Sequence, residues 1–477
     1  MTDTLRDSYD TIPYRHGAIT LSHPARLGAI ARLLGLQAAL PDRCRVLELG
    51  CGEGMNLLPM AERFPGSEFV GVDFSNAQIA VGSQACSAAG LGNARFVCAD
   101  LRTFDPVPGG FDYVIAHGVY SWVPPEVRER LLAVCASALA PSGVVYLSYN
   151  TQPSGGILSG LRAVLLRELM DVTEPSARCA RLAGLLETLA RSFSVQPGPY
   201  AELMRDLLAE MRAKPVELVL HDELEEYNEP CTFIDFADNA ARHGLQFLSE
   251  AHFASMPFEH LSAEARLPLT ELILDPLKEQ QYLDLLGNRR FRASLLCRET
   301  LSHPRVVDPQ TVRGCAIGTR LHLDRPEVDL RPGYPMQVVG GHGVKFIVSD
   351  PVQKAFLAIL IGLAPERIPF AEALADAVAA LAQSGMSPAV DEMVLMHAVA
   401  RLFSIDQVDL LLVGESDWLS PDVSAPSTLM RHQARADLAV VNLWHENVEL
   451  NAVQRAQIAD PIDQANLDNW RDTGLLV

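Results

Sequence analysis

The chain has 477 residues, 48% of them hydrophobic and 6% aromatic, and a formal net charge of −20. That length calls for two or three domains. The acidic balance and sparse lysines (Lys214, Lys278, Lys345, Lys354) argue against a nucleic-acid binder, because phosphate backbones reward clustered cations.

No apolar run approaches the ~18–20 residues of a membrane helix; the longest, Phe356 to Ala364, is far too short. The opening MTDTLRDSYD lacks the basic and apolar regions of a signal peptide, so a cytoplasmic location is expected. Nine scattered cysteines without a CxxC pair argue against disulfides or zinc, and no metal is expected.

In chain order, Leu27, Ile30, Ala31 and Leu34 share one helical face that Gly35 would end. A regular alternation follows. Strands are expected at Arg45–Leu49, Glu68–Val72, Arg95–Ala99, Phe111–Ala116 and Gly143–Tyr149. Helices are expected at Met55–Phe64, Asn76–Ala89 (N-capped by Ser75) and Glu126–Leu139. Apolar strands separated by helices of this length imply right-handed crossovers and a parallel sheet. Residues 156–225 read as helical, with a stripe at Leu182, Leu185, Leu186, Leu189 and Phe193 and a break at Gln196–Tyr200. A helix at Phe233–His243 precedes late strands at Gly244–Phe253 and Phe291–Cys297. These two are expected to complete the sheet as its antiparallel edge, leaving 156–225 and 255–285 as insertions covering the site. From about 305 the texture changes to a separate α+β, winged-helix-like domain. It has a hairpin at 335–350 turning on Gly340 and Gly341, helices at about 351–362, 369–383 and 389–403, and a strand at Val408–Val413. The expected class is α/β: a doubly wound, mostly parallel seven-stranded sheet with helical insertions. The expected divisions are 1–155, 156–305 and 306–477.

The chemistry concentrates in VLELGCGEG (Val46 to Gly54), at the end of the first strand. Gly50, Gly52 and Gly54 allow tight turns and close approach of a ligand to bare backbone. A dinucleotide site would read G-x-G-x-x-G and cradle a pyrophosphate. Here the glycines alternate behind an acidic Glu48. S-adenosylmethionine carries no phosphate but an ammonium, a carboxylate and a sulfonium, which suits this loop better. Asp73 ends the second strand, where a carboxylate can accept both ribose hydroxyls. Asp100 ends the third, where it can accept the adenine amino group while Leu101 offers a backbone amide. Cys51, Asn56 and Phe74, beside these positions, complete the expected cofactor set with Tyr14 and His117. The N-terminal Tyr9, Tyr14 and His23 form a candidate lid. The fourth and fifth strands end in HGVYSWV and SYNT. Tyr120, Trp122 and Tyr149 would wall a channel and meet the sulfonium through ring faces, and His117 or Asn150 would orient the acceptor. Lid packing for Trp122 and Tyr149, and plain hydrogen-bonded structure for His117, are the alternatives.

SYDTIPY, SHPARL, VLELGCGEG, NLLPMA, GVDFS, HGVYSWVPPEVR, SYNT, HDELEEYNEP, HGLQFLSEA and NRRFRASLLC together resemble bacterial class I methyltransferases that carry a methyltransferase regulatory domain. That family includes the rickettsial outer-membrane-protein lysine methyltransferases. The similarity runs from about residue 8 to 300, and more loosely beyond. It implies that Glu48, Gly50, Gly52, Asp73 and Asp100 hold the cofactor and that Tyr120 and Trp122 face the substrate. One departure stands out: relatives follow SYNT with an aromatic-rich stretch, where this chain reads QPSGG (Gln152 to Gly156).

The leading expectation is methyl transfer from S-adenosylmethionine to a protein side chain, foremost a lysine amine. A protein substrate is the expected partner, homodimerisation is open, and neither nucleic acid nor membrane insertion is expected. The rivals are a small-molecule methyltransferase with a helical lid and a cofactor-binding interaction module.

Overall fold

The computed structural model describes residues 17–225, 227–257, 261–273, 275–302, 306–414, 426–436, 438–459 and 475. Helix α1 (Pro24–Leu33) begins on a proline, whose missing N–H is harmless in a first turn, and Gly35 beyond it adopts φ 87°. The expected alternation follows as β1 (Arg45–Leu49), α2 (Leu57–Arg63), β2 (Glu68–Asp73), α3 (Asn76–Ala89), β3 (Ala94–Cys98), β4 (Phe111–Ala116), α4 (Pro125–Ala138) and β5 (Leu139–Asn150). Ser75 caps α3 by accepting a hydrogen bond from the Gln78 amide, and Gly90 at φ 69° ends it. The first five strands pair in parallel.

After β5 the chain leaves the sheet for α5 (Ser154–Leu169), α6 (Pro175–Ser194), α7 (Pro199–Ala213) and α8 (Val216–Leu224). These helices share their own apolar core around Leu165, Leu182, Leu208 and Val219. Helix α9 (Phe233–Arg242) then lays Phe233, Phe236 and Ala240 on one sheet face. The sheet is completed by β6 (Leu245–Glu250) and β7 (Phe291–Arg298), in the order β3-β2-β1-β4-β5-β7-β6. Strand β7 lies antiparallel between β5 and β6. The antiparallel expectation therefore holds for β7 alone. Strand β6, two positions from β5 and opposed to β7, runs in the direction of the parallel strands.

Helix α10 (Pro276–Gly287) lies in the second insertion and braces β7. Arg292 is wholly buried, donating to Asp284 at 2.8 to 3.1 Å and to Glu250 at 2.6 Å, with its guanidinium 4.2 Å from the Phe233 ring centroid. Each charge here is paired and hydrogen-bonded, the condition under which buried ions are tolerated.

The C-terminal unit contains β8 (Cys315–Thr319), β9 (His322–Leu323), the hairpin β10 (Met336–Val339) and β11 (Lys345–Val348), then α11 (Pro351–Leu363), β12 (Ile368–Pro369), α12 (Phe370–Gln383), α13 (Glu392–Ser404) and β13 (Val408–Leu412). Beyond residue 425 come α14 (Thr428–Arg435), the short hairpin β14 (Val440–Val441) and β15 (Asn447–Val448), and α15 (Ala452–Ala459). Beyond a small cluster of its own around Met430, Val440 and Ile458, this unit shares its core with the rest of the chain. Leu27 and Ile30 of α1, Tyr113 and Tyr146 of the sheet, and Ile317, Phe403 and Leu410 belong to one continuous apolar cluster. Helix α1 is consequently buried on every side except at Arg32, instead of showing the single apolar face expected of a surface helix. Arg26, on α1, reaches Asp409 of β13 at 2.7 Å. No described helix is long and apolar enough to cross a membrane.

Candidate functional site

The loop after β1 is shaped by backbone that only glycine adopts easily. Gly50, Gly52 and Gly54 have φ of 76°, 53° and 74°. Space is short as well: a Cβ on Gly50 would lie 2.6 Å from a Val119 methyl, and one on Gly54 would lie 2.3 Å from the Phe96 ring. The loop is lashed across the end of β2. The Gly50 and Cys51 amides both donate to the Val72 carbonyl, at 2.8 and 3.1 Å. Gly52 donates to one oxygen of Asp73 and Ser75 to the other, each at 2.9 Å. A carboxylate held in this way at the end of β2 is an acceptor of the kind a ribose diol needs.

Glu48 is buried. One carboxylate oxygen accepts from the Asn56 amide at 2.9 Å; the other has no hydrogen-bond partner. Burial pushes its carboxyl up to about 8, against the lowering effect of Asn56, with Asp73 adding to the rise. A small cavity of about 20 Å³ opens on it, lined by Ile19, Glu48, Gly50, Cys51, Glu53, Met55, Asn56 and His117. That is room for roughly one water-sized group, the size of an ammonium. A buried acid with an unpartnered oxygen in the wall of such a space fits a cationic ligand end better than a phosphate.

The other expected cofactor positions lie along the same rim. Phe74 is half-buried directly after Asp73. Leu101 turns its side chain into the core with Val70 and Val72. Asp100 is gripped by Arg102, which donates from its Nη2 at 2.6 Å and from its Nε at 3.0 Å. The Arg102 guanidinium holds the Asp100 carboxyl below the usual carboxylate range. Tyr9 and Tyr14 lie outside the described residues. His23 is buried against Phe64 and His445.

A second, larger cavity of about 330 Å³ lies between the ends of β4 and β5 and the helices α5, α7 and α8. His117, Trp122 and Asn150 line it, with Gly155, Arg162, Glu210, Lys214, Asp222, Glu223, Asn228, Arg290 and Phe291 among the other walls. His117 also borders the Glu48 cavity, so the two spaces meet at its imidazole. Desolvation lowers His117 to about 4, which leaves the ring neutral at neutral pH. Its Nδ1 is 2.9 Å from the Tyr146 hydroxyl. The Trp122 indole and an Asn228 amide both donate to the Asp222 carbonyl, at 3.2 and 2.9 Å, and Asn150 donates to Asn228 at 2.9 Å. These bonds tie the strand ends to α8 and the segment after it. The walls are charge-balanced: Lys214 reaches Asp222 and Glu223 at 3.3 and 3.2 Å, and Arg290 pairs with Glu210.

Tyr120 and Tyr149 are not in these walls. Tyr149 is fully buried, its ring stacked on Phe236 at 4.0 Å and its hydroxyl 3.2 Å from Ser294. Tyr120 packs edge-on to Phe236 and accepts from Asn239 at 2.9 Å. Both serve the core beneath α9, because successive strand residues face opposite sides and Tyr149 falls on the side away from Asn150. Sequence reasoning also missed Phe291, Arg290, Lys214 and Glu210. Phe291 and Arg290 lie within NRRFRASLLC, and Asp222, Glu223 and Asn228 lie within HDELEEYNEP, so the motifs marked the region without showing what it builds. The QPSGG departure forms the entry to α5, and Gly155 is required there: a Cβ would sit 2.2 Å from the Pro230 ring.

Comparison with known proteins agrees with this geometry. Residues 46–143 match a methyltransferase domain family, and residues 215–298 match a family described as a predicted methyltransferase regulatory domain. Protein RP789 of Rickettsia prowazekii is 29% identical over 465 residues, covering 95% of this chain and 83% of its own length. RP028 of the same organism is 32% identical over 247 residues, 51% of this chain and 98% of that protein. The structure of PKMT2 from Rickettsia typhi, in complex with AdoHcy, superposes with a TM-score of 0.81 at 24% identity, covering 97% of this chain and 91% of that one. A trans-aconitate 2-methyltransferase of Variovorax paradoxus is 36% identical over 115 residues, 24% of this chain and 42% of its own. With its glycine loop, seven-stranded sheet and inserted 215–298 segment, the chain belongs to the class I S-adenosylmethionine-dependent methyltransferases that carry a methyltransferase regulatory domain.

Proposed function

We propose that the protein transfers a methyl group to a protein side chain, foremost the ε-amine of lysine. The observation that carries the reading is the junction at His117, where a cation-accepting cavity under the glycine loop meets a 330 Å³ chamber built from the regulatory segment and its helices. The full-length resemblance to a structure named PKMT2 supports it.

In this reading Glu48 takes the ammonium of the donor's methionine end, Asp73 takes the ribose hydroxyls, and Phe74 and the Leu101 amide flank the adenine. Asp100 would have to release Arg102 before accepting the adenine amine. When bound, S-adenosylmethionine supplies an activated methyl on a positive sulfur. The chain's own contribution is alignment and desolvation. Trp122 and Phe291 present rings to the chamber, and His117 and Asn150 present polar atoms beside the junction. A lysine entering this partly apolar space loses hydration, which lowers its pKa from ~10.4 and favours the neutral nucleophile. Neutral His117 can orient the incoming amine, while the burial that lowers it to about 4 leaves solvent as the destination of the departing proton. Alignment and water exclusion of this kind are worth several kcal/mol of barrier.

The chamber's size, a few hundred Å³, also suits a small acceptor, and the local similarity to trans-aconitate 2-methyltransferases points the same way. Charge favours the protein substrate. A small polycarboxylate needs unpaired cations, and of the chamber's cations Lys214 and Arg290 are each paired with carboxylates while Arg162 donates to the Glu225 carbonyl. The test is incubation with labelled S-adenosylmethionine and either a proteome extract or trans-aconitate. Label on mapped lysines is expected; label on trans-aconitate alone would overturn the reading.

A further inference from the structure

Asn56 is a hub with every hydrogen-bonding position used. Its amide nitrogen donates to Glu48 at 2.9 Å and to the Ser22 hydroxyl at 3.0 Å. Its oxygen accepts from the Ile19 amide at 2.8 Å and from His445 Nε2, also at 2.8 Å. Because that oxygen only accepts, Nε2 of His445 carries the proton. His445 comes from the far end of the chain, in the turn between β14 and β15. It is buried, and it stands at φ 61°, a conformation a non-glycine residue keeps only when its surroundings hold it.

The surroundings do hold it. Thr20 donates to the His445 carbonyl at 2.9 Å. Asn447 accepts from the Ala18 amide at 2.7 Å and donates to its carbonyl at 2.9 Å, in the manner of a paired strand. Trp444, next to His445, is covered by the Arg367 guanidinium at 4.6 Å. The hairpin therefore straps residues 18–20 over the Glu48 cavity, with Ile19 forming part of its wall. A second anchor lies alongside. Ser427 donates to Glu62 at 2.8 Å, and Leu429 and Leu438 pack on Met55, Leu58 and Cys86.

We propose that the Asn442–Glu446 turn is a working part of the methyl-donor site, with His445 as a positioning residue that fixes Asn56 and, through it, the carboxylate of Glu48. The inference rests on Glu48 receiving the donor's ammonium, as proposed above. It gives the last segment of the chain a defined task at a site some 390 residues earlier.

The test is calorimetric titration of the full chain with two probes: S-adenosylhomocysteine, which has the amino-acid end, and 5′-methylthioadenosine, which lacks it. His445→Ala is expected to weaken S-adenosylhomocysteine about fivefold or more, the scale of one buried hydrogen bond, while leaving methylthioadenosine within about twofold. His445→Gln, whose amide can donate to Asn56, is expected to restore most of the loss. Unchanged affinity for S-adenosylhomocysteine, or an equal loss for both probes, overturns the proposal. Should His445→Ala not fold, His445→Phe keeps a ring against His23 without the donor and faces the same criteria. Glu48→Gln separates the two levels. If it binds S-adenosylhomocysteine normally, the ammonium reading falls and this inference with it. If it weakens binding while His445→Ala does not, only the inference falls.

Discussion

Glu48 and His117 stand on opposite sides of one junction, and burial moves each toward its uncharged form. For Glu48 the direction has two consequences. A raised carboxyl contributes stability that is full below its ordinary value near 4.5 and is lost as pH rises through about 8. The ligand-free chain should therefore melt at progressively lower temperature across that window, and Glu48→Gln should flatten the trend in calorimetric scans. Binding a cation runs the other way, because the bound carboxyl must ionise. Affinity for S-adenosylmethionine should climb by up to about tenfold per pH unit between pH 6.5 and 7.5, and Glu48→Gln should abolish the climb. A flat affinity profile in the parent chain would remove Glu48 from the ammonium role. The place of Glu48 beside the loop was legible in the sequence because an acid before alternating glycines has a chemical meaning of its own. The place of Tyr149 was not. Period-two alternation puts Tyr149 opposite Asn150, but nothing in SYNT says which face meets the cavity, and that is decided by α9 arriving from residue 233.

At the level of elements, one tight junction shapes the chamber and another holds the sheet's late strands. Helix α5 enters beside Pro230 with no room for a side chain at Gly155. Gly155→Ala should push the helix start outward, raise KM for the acceptor several-fold and leave S-adenosylmethionine affinity nearly unchanged; a parallel loss in both titrations would show a wider disturbance. Strand β7 depends on Arg292, set between Asp284 and Glu250. Arg292→Met strands two buried carboxylates and should cost about 3–5 kcal/mol in denaturant unfolding; a change below about 1 kcal/mol would mean those acids find other partners. The strands themselves were readable from apolar runs bounded by turns. The direction of β6 was not, because it follows from β7 slotting between β5 and β6, a pairing that no local pattern encodes.

For the molecule as a whole, the sequence shows a change of texture near residue 305 that reads as a domain boundary. The structure carries one apolar cluster through it, because α1 is sandwiched between the sheet and the C-terminal unit. Calorimetry should accordingly show the sheet and the C-terminal unit unfolding together. Helices α5–α8, with their own cluster, should exchange amide hydrogens through a lower-energy opening. Ile30→Ala, a fully buried position in the shared cluster, should lower stability by about 2–5 kcal/mol and move both reporters of the large transition together. Two resolved transitions for sheet and C-terminal unit would contradict this arrangement.

The placing of β7 also sets a schedule during synthesis. Strand β5 ends at Asn150, but the neighbour for its outer edge begins only at Phe291. Ribosomes add roughly 5–20 residues per second, so a gap of about 140 residues leaves that edge waiting roughly 7–28 s. Throughout the wait its N–H and C=O groups can zip onto any extended segment nearby, including one from an adjacent nascent copy. For this architecture, growth on the ribosome is the interval of greatest exposure to mispairing.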